Sequence, residues 1–200
     1  MMDLIRVIDF VLSFIGLLIL SPILLVVALF IKLTSKGPVF YKQRRVGKGG
    51  EEFKVYKFRT MYADADTRGL LTVGGKDKRV TPAGYYLRKF KLDELAQLIN
   101  VLRGEMSIVG PRPEVRKYVE MYSKEQLKAL QVLPGITDHA SIAYRNENEL
   151  LESVANPEEY YIKEIMPRKL ELNLVYINNR SIGEYFKIIA KTIITSVKGK

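Results

Sequence analysis

The sequence predicts an α+β protein: an apolar N-terminal membrane helix broken at Ser21-Pro22, followed by a small, mainly helical domain that carries a β-hairpin. Three observations predict it. An uncharged apolar run extends from Phe10 to Ile31, two β-rich stretches flank Gly47, Gly49 and Gly50, and apolar residues recur at helical spacing in Leu95–Leu102 and again in Ile182–Val197. The boundary is expected near residue 35, dividing the chain into a membrane segment, 1–35, and a domain, 36–200.

The N-terminal run is long enough to cross a membrane, for which about 20 apolar residues suffice. Pro22 argues against a straight crossing. Its ring removes a backbone donor and crowds the carbonyl four residues back, so a sharp bend is expected there, with the Ser21 hydroxyl satisfying a freed carbonyl. Two half-helices of about 10 residues cannot each span. The segment is therefore a kinked span or a re-entrant helix with both ends on one face. Arg6 precedes the run and Lys32 and Lys36 follow it, an asymmetry that puts the C-terminal side in the cytoplasm. A cleaved signal peptide fits less well, because the run exceeds the usual apolar region and no small-x-small cleavage site follows. A buried core helix would normally show a polar face.

The remaining residues suffice for one domain with its own core. The chain has no cysteine, which excludes disulfides, thiolate metal sites and thiol nucleophiles. His139 is the only histidine, so a histidine metal cluster or a Ser-His-Asp triad is not expected. The net charge of +10 is concentrated. Lys32, Lys36, Lys42, Arg44, Arg45, Lys48, Lys54, Lys57 and Arg59 stand within 32–59 against Glu51 and Glu52 alone. Such a juxtamembrane cluster suits anionic lipid headgroups; a nucleic-acid face or a merely solvated one has the same composition.

Residues 39–46 and 52–60 form the expected hairpin. Its glycines are not a phosphate-binding loop of the Walker type, since no Lys-Ser/Thr pair follows at the required spacing. Residues 62–79, with Asp64, Asp66, Gly69, Gly74 and Gly75, are expected to be a mobile surface connection. In the next helix Asp93 and Glu94 occupy the first turn and Gly104 provides the stop. Acidic residues there serve as ordinary caps. Yet adjacent carboxylates point in different directions, so one can face a substrate while the other holds a divalent cation. Arg88 lies upstream, ready to counter phosphate charge. Met106–Val109 is a strand-like run feeding Gly110-Pro111-Arg112-Pro113. Two prolines stiffen the backbone around Arg112, which lowers the entropy lost when its guanidinium grips a phosphate; a plain turn is the alternative.

Taken together, Ser21-Pro22 in its apolar run, Tyr56-Lys57-Phe58-Arg59-Thr60-Met61, Leu92-Asp93-Glu94-Leu95, Asn100-Val101-Leu102, Gly104-Glu105-Met106-Ser107 and Gly110-Pro111-Arg112-Pro113 resemble the bacterial sugar transferases, the monotopic phosphoglycosyl transferases. The likeness covers about residues 3–145, in order. It implies a re-entrant membrane helix, an active site on the cytoplasmic face of the bacterial inner membrane and a dependence on Mg2+; interfacial amphipathic helices are expected in the domain as well. In that family a UDP-sugar donates its phosphosugar to polyprenol phosphate, usually undecaprenyl phosphate, and releases UMP, as the membrane-committed first step of glycoconjugate synthesis. By the same resemblance Asp93 is the nucleophile and Glu94 binds the metal. Arg88, Pro111, Arg112, Pro113, Lys57, Arg59 and Arg145 are the expected substrate-binding positions. Pro134-Gly135-Ile136-Thr137 and Arg145-Asn146 also fit the pattern. Asp138-His139-Ala140-Ser141-Ile142 departs from the Gly-Leu-Ala-Gln-Val of many members, which leaves the sugar open. His139 is a sugar contact or a structural residue. Glu159-Tyr160-Tyr161 and Glu184 stand where many members have aspartates and receive no role. Membrane lipids are expected partners, nucleic acid is not, and a homo-oligomer is compatible with the reading. The rival class is a membrane-tethered basic module that binds nucleic acid or anionic lipid without catalysis. In the tail, Ile182, Phe186, Ile189, Ile193 and Val197 share a face that suits a membrane interface or the protein's own core.

Overall fold

The computed structural model of the protein describes residues 2–62, 65 and 77–197. The connection expected at 62–79 lies for the most part outside them. Helix α1, Met2–Thr34, is a single helical element of 33 residues that keeps its helical backbone through Ser21 and Pro22, where two half-helices were expected. The local reason is visible. Pro22 has no amide to offer the carbonyl of Leu18, and the Ser21 hydroxyl donates to that carbonyl at 2.8 Å, so the orphaned acceptor is satisfied as the sequence predicts.

At about 1.5 Å per residue α1 is roughly 50 Å long, and the domain touches it at both ends. Near the start, Arg6 donates to the carbonyls of Val101 at 2.6 Å and Leu102 at 3.1 Å. One turn on, the buried Asp9 carboxylate accepts from the Ile108 amide at 2.8 Å and the Tyr185 hydroxyl at 2.7 Å. In the middle, a Cβ on Gly16 would lie 3.5 Å from the Leu98 side chain. Near the end, Val27 and Ile31 pack with Phe58, Leu87 and Ala96, and the buried Arg59 guanidinium donates to the carbonyls of Ser35 and Lys36, both at 2.8 Å. The other face leaves Leu18, Ile19, Leu25, Val26, Leu29 and Leu33 exposed.

Strands β1, Phe40–Val46, and β2, Glu52–Phe58, form the expected antiparallel hairpin. Gly49 and Gly50 turn it with φ of 72° and 82°, a region that costs glycine nothing. Phe53 and Val55 of β2 pack inward on Val101, Met106 and Ile136. Helix α2, Pro82–Lys89, starts from Thr81, whose hydroxyl accepts the Gly84 amide. A left-handed residue, Lys91 with φ of 56°, then turns the chain into a 3-10 segment, Leu92–Gln97, followed by α3, Leu98–Leu102. The sequence predicts one helix there. Asp93 and Glu94 do lie in the first turn, and Gly104, with φ of 83°, follows the stop.

Strands β3, Ser107–Val109, and β4, Gly135–Thr137, pair in parallel. Between them lies α4, Arg116–Val119. After them come α5, His139–Ala143; α6, Glu147–Glu152; α7, Pro157–Tyr160; α8, Met166–Asn178, entered through a π turn; and α9, Ile182–Val197. The face expected in the tail is not the one that packs on the core: Ile182 and Ile189 are only partly buried. Tyr185 and Ile188 are buried against Ile5, Val109 and Tyr176, while Phe186, Ile193 and Ile194 are exposed.

Gly110 and Gly135 cross backbone to backbone at the edge of this small sheet. A Cβ on Gly135 would lie 2.1 Å from the Gly110 nitrogen, and neither main chain can yield without losing the bonds that hold it. Gly135→Ala is therefore expected to cost about 1–3 kcal/mol, as overpacking does, and to move the adjoining Arg112 loop. A thermal melt checks the first effect; an undiminished midpoint would contradict it.

Candidate active site

Two acidic and several basic side chains meet where β2, the 3-10 segment and the loop after β3 converge. Lys57 is on the inward face of β2, two residues beyond Val55. The left-handed Lys91 redirects the chain after α2 so that Asp93, almost fully buried, and Glu94 turn inward. The third contribution is Arg112. Its loop is pinned on both sides: the Gly110 amide donates to the Thr137 carbonyl at 3.0 Å, and the Pro111 carbonyl accepts from the Gly135 amide at 2.9 Å. The buried Asp138 carboxylate accepts the Arg112 amide at 3.1 Å and also caps α5 through the Ser141 amide. Pro113 offers its carbonyl to Arg45 at 3.2 Å.

Glu94 is gripped by a fork. The two Arg112 terminal nitrogens donate to its two oxygens, one at 3.1 Å and the other closer, and the Lys57 ammonium stands 3.5 Å from one of them. Burial pushes Glu94 up, but the charge of Arg112, the charge of Lys57 and the fork outweigh it and hold its carboxyl well below the usual carboxylate range. Glu94 in turn raises Arg112 further. Burial lowers Lys57 to about 8 against the attraction of Glu94, with Arg112 and Arg45 adding repulsion.

Asp93 is held differently. Among the described residues no side chain hydrogen-bonds to it. Burial and the Glu94 charge raise its pKa, while Lys57, Arg88 and Lys91 pull it down through space. The result is a more basic carboxylate than usual, ringed by cations and free to move onto a ligand. Arg88 is set in place by its Nε, which donates to the Thr60 hydroxyl at 2.9 Å. Thr60 in turn lies against Gly84, where a Cβ would be 1.9 Å from the Thr60 carbonyl oxygen.

The structure thus brings together Asp93, Glu94, Lys57, Arg88 and Arg112, with Pro111 and Pro113 flanking the last. Arg59 and Arg145, expected as substrate contacts, are engaged elsewhere. Arg59 lies just past the end of β2, where its guanidinium holds the end of α1, and Arg145 donates to the Thr195 carbonyl of α9 at 2.6 Å. His139 meets Glu184 at 3.0 Å and ties α5 to α9, the structural alternative of the two. Arg45, Lys91, Thr60 and Asp138 have no site role predicted from the sequence. Strand alternation places Arg45 on the Lys57 face of the hairpin, and Asp138 three residues before Ser141 has the form of an N-cap.

No group of three or more acidic or histidine side chains that could enclose a metal occurs among the described residues. A carboxylate pair nevertheless suits a hard divalent ion that keeps water and takes its other ligands from substrate phosphates. Asp93 is available for this as it stands. Glu94 would have to release its fork to Arg112.

The chain matches the bacterial sugar transferase family over residues 2–199. It is 36% identical over 197 residues to the UDP-N-acetylgalactosamine-undecaprenyl-phosphate N-acetylgalactosaminephosphotransferase of Aeromonas hydrophila, covering 97% of this chain and 44% of that protein. It is 39% identical over 192 residues to the UDP-glucose:undecaprenyl-phosphate glucose-1-phosphate transferase of Klebsiella pneumoniae, covering 94% and 39%. A protein of the same description from Caulobacter vibrioides is 35% identical over 192 residues, covering 94% and 67%. The chain thus spans about two fifths of the length of the first two relatives.

Proposed function

The chain belongs to the bacterial sugar transferase family, and from that membership we propose that it moves a phosphosugar from a UDP-sugar to undecaprenyl phosphate or another polyprenol phosphate, releasing UMP. The observation that carries the mechanism is the buried Asp93 carboxylate, raised in basicity, without a hydrogen-bonded side-chain partner among the described residues, and ringed by Lys57, Arg88 and Lys91. An Asp93 oxygen attacks the phosphorus that bears the sugar; the bond from that phosphorus to the bridging oxygen breaks, and UMP leaves with the electron pair. An oxygen of polyprenol phosphate then attacks the same phosphorus and expels Asp93, giving the polyprenyl diphosphosugar. Splitting the transfer in two lets a soluble donor depart before a lipid acceptor reacts. Arg112 and Lys57 bind the donor's phosphates, with Arg88 on the other flank. Glu94, once released from its fork to Arg112, would hold beside Asp93 a magnesium ion, which would supply neutralisation of the charge developing on the leaving group.

The reading places 1–35 in the inner membrane as a re-entrant helix and 36–200 on its cytoplasmic face, where UDP-sugars are made, and assigns the reaction to the first membrane-bound step of glycoconjugate synthesis. A crossing helix carries its ends to opposite sides of a core about 30 Å thick. Here Arg6 and Asp9 at one end and Ile31 at the other all contact one domain, which supports re-entry. A tethered module without catalysis leaves the buried carboxylate pair and its cations without a task.

UMP release from a panel of UDP-sugars, with undecaprenyl phosphate and magnesium, tests the activity and identifies the sugar. Silence across the panel in a protein that is folded and membrane-bound would overturn the proposal. Topology has its own test. Cysteines introduced singly at Asp3 and Lys128 should both be protected from an impermeant thiol reagent in intact cells. Labelling at position 3 alone would mean a true span. The combined changes Ser21→Ala and Pro22→Leu restore the missing amide and remove the hydroxyl that compensates for it, and should expose position 3 in a fraction of molecules.

A further inference from the structure

Strand alternation gives the hairpin an inner face, with Val55 and Lys57, and an outer face on which three cross-strand pairs stand in a row: Phe40 with Phe58, Lys42 with Tyr56, and Arg44 with Lys54. The first pair packs on Val27 and Ile31 of α1. The outer face is therefore the side of the hairpin on which α1 lies. At about 3.4 Å per residue, the second pair lies roughly 7 Å beyond this contact and the third roughly 14 Å beyond it. The row changes from apolar, through an aromatic ring flanked by cations, to purely basic. The Lys42 ammonium stands 4.9 Å from the centre of the Tyr56 ring, and Arg103 donates to the Tyr56 hydroxyl at 2.9 Å.

The third pair is the informative one. Arg44 and Lys54 face each other directly and both are exposed, an arrangement that weakens a hairpin. Only Glu52 offsets it, and only in part. The nearest carboxylate to Arg44 is Glu52 at 4.0 Å, already bonded to Arg116 at 3.1 Å, and Lys54 makes no ion pair among the described residues. Lys32 and Lys36 extend the positive charge back to the end of α1, which Arg59 fixes to the hairpin. We propose that this outer face is a docking surface for the headgroups of anionic phospholipids: the buried Phe58, with Phe40, anchors the hairpin on α1, Tyr56 sits at the interface, and Lys42, Arg44, Lys54 and Arg103 meet lipid phosphates. The surface would hold the inner face, with Lys57, at a fixed height above the bilayer. Charge complementarity, and the attachment of the row to the end of an apolar helix whose other face is exposed, select a lipid surface as the occupant.

The inference rests on α1 being lipid-embedded, which flotation of the full chain with phosphatidylcholine vesicles reports separately. The protein has no cysteine, so Lys48→Cys in the hairpin turn can carry an environment-sensitive dye. Reconstituted protein is compared in bilayers of phosphatidylcholine with and without phosphatidylglycerol, using a quencher attached to the headgroups. Quenching should be about twofold stronger with the anionic lipid and should lose that excess in high salt. The triple variant Lys42→Gln, Arg44→Gln, Lys54→Gln should lose it at any salt. Lys54→Glu, which pairs with Arg44 across the strands, should raise the melting temperature in detergent while reducing the excess, a combination that a purely structural role does not produce. Equal quenching in the two bilayers, or an excess retained in the triple variant, would overturn the proposal. So would a dye that responds to an RNA oligonucleotide and not to phosphatidylglycerol.

Discussion

The Asp93→Asn protein is expected to release UMP at least about 10³-fold more slowly than the wild type, as loss of an attacking group does elsewhere, and to form no phosphosugar adduct detectable by mass spectrometry of the intact chain. Asparagine keeps the size of the side chain and removes the anionic oxygen. The companion measurement is stability. Burial and the neighbouring Glu94 charge raise the Asp93 pKa above its unfolded value, so ionising it costs folding free energy, and the cost is present once the pH exceeds the folded pKa. A neutral Asn has no such cost. The variant should therefore melt at the same temperature as the wild type in neutral solution, or higher, while being inactive. A lower melting temperature with activity largely intact would make Asp93 a structural residue. The Asn sample must be free of deamidated Asp, which would restore the nucleophile.

The sequence makes this site legible to different depths. The hairpin, the stop at Gly104 and the strand before Gly110 are local features, written in alternation and glycine chemistry, and they stand where expected. The carboxylate pair and Arg112 are readable as a resemblance. Their contact is not, because it joins residues 18 positions apart through a backbone crossing at Gly110 and Gly135. Arg59 shows the opposite limit. It belongs to the same basic stretch as Lys57, yet two residues of strand and its end turn it toward Ser35 and Lys36. Charge on a sequence gives the sign of a surface and not its direction. The continuity of α1 through Pro22 has the same origin: one hydroxyl replaces the lost amide, and the domain is packed along both halves of the helix.

Glu94→Gln is expected to be the second most damaging change, through three linked effects. Arg112 loses a bidentate carboxylate and keeps only an amide, so the fork that fixes its guanidinium loosens. Lys57, already lowered to about 8 by burial, loses the charge that opposes its deprotonation and becomes largely neutral in neutral solution, weakening its hold on an anionic donor. A divalent ion loses one carboxylate of the pair. The expected result is a KM for the UDP-sugar and a half-saturating magnesium concentration that both rise about tenfold or more, with a fall in kcat. Stability supplies a check that does not depend on turnover. Glu94 is held below its unfolded value of 4.5, so its ionised form stabilises the wild type at neutral pH, and that contribution fades as the pH falls below 4.5 toward the folded value. The melting-temperature gap between wild type and Glu94→Gln should be widest near pH 7 and should narrow steadily in acid. A magnesium titration unchanged at reduced rate would remove Glu94 from the metal and leave it the task of orienting Arg112. A gap that does not vary with pH would mean that the fork contributes nothing to folding, and that the pair is retained for the reaction alone.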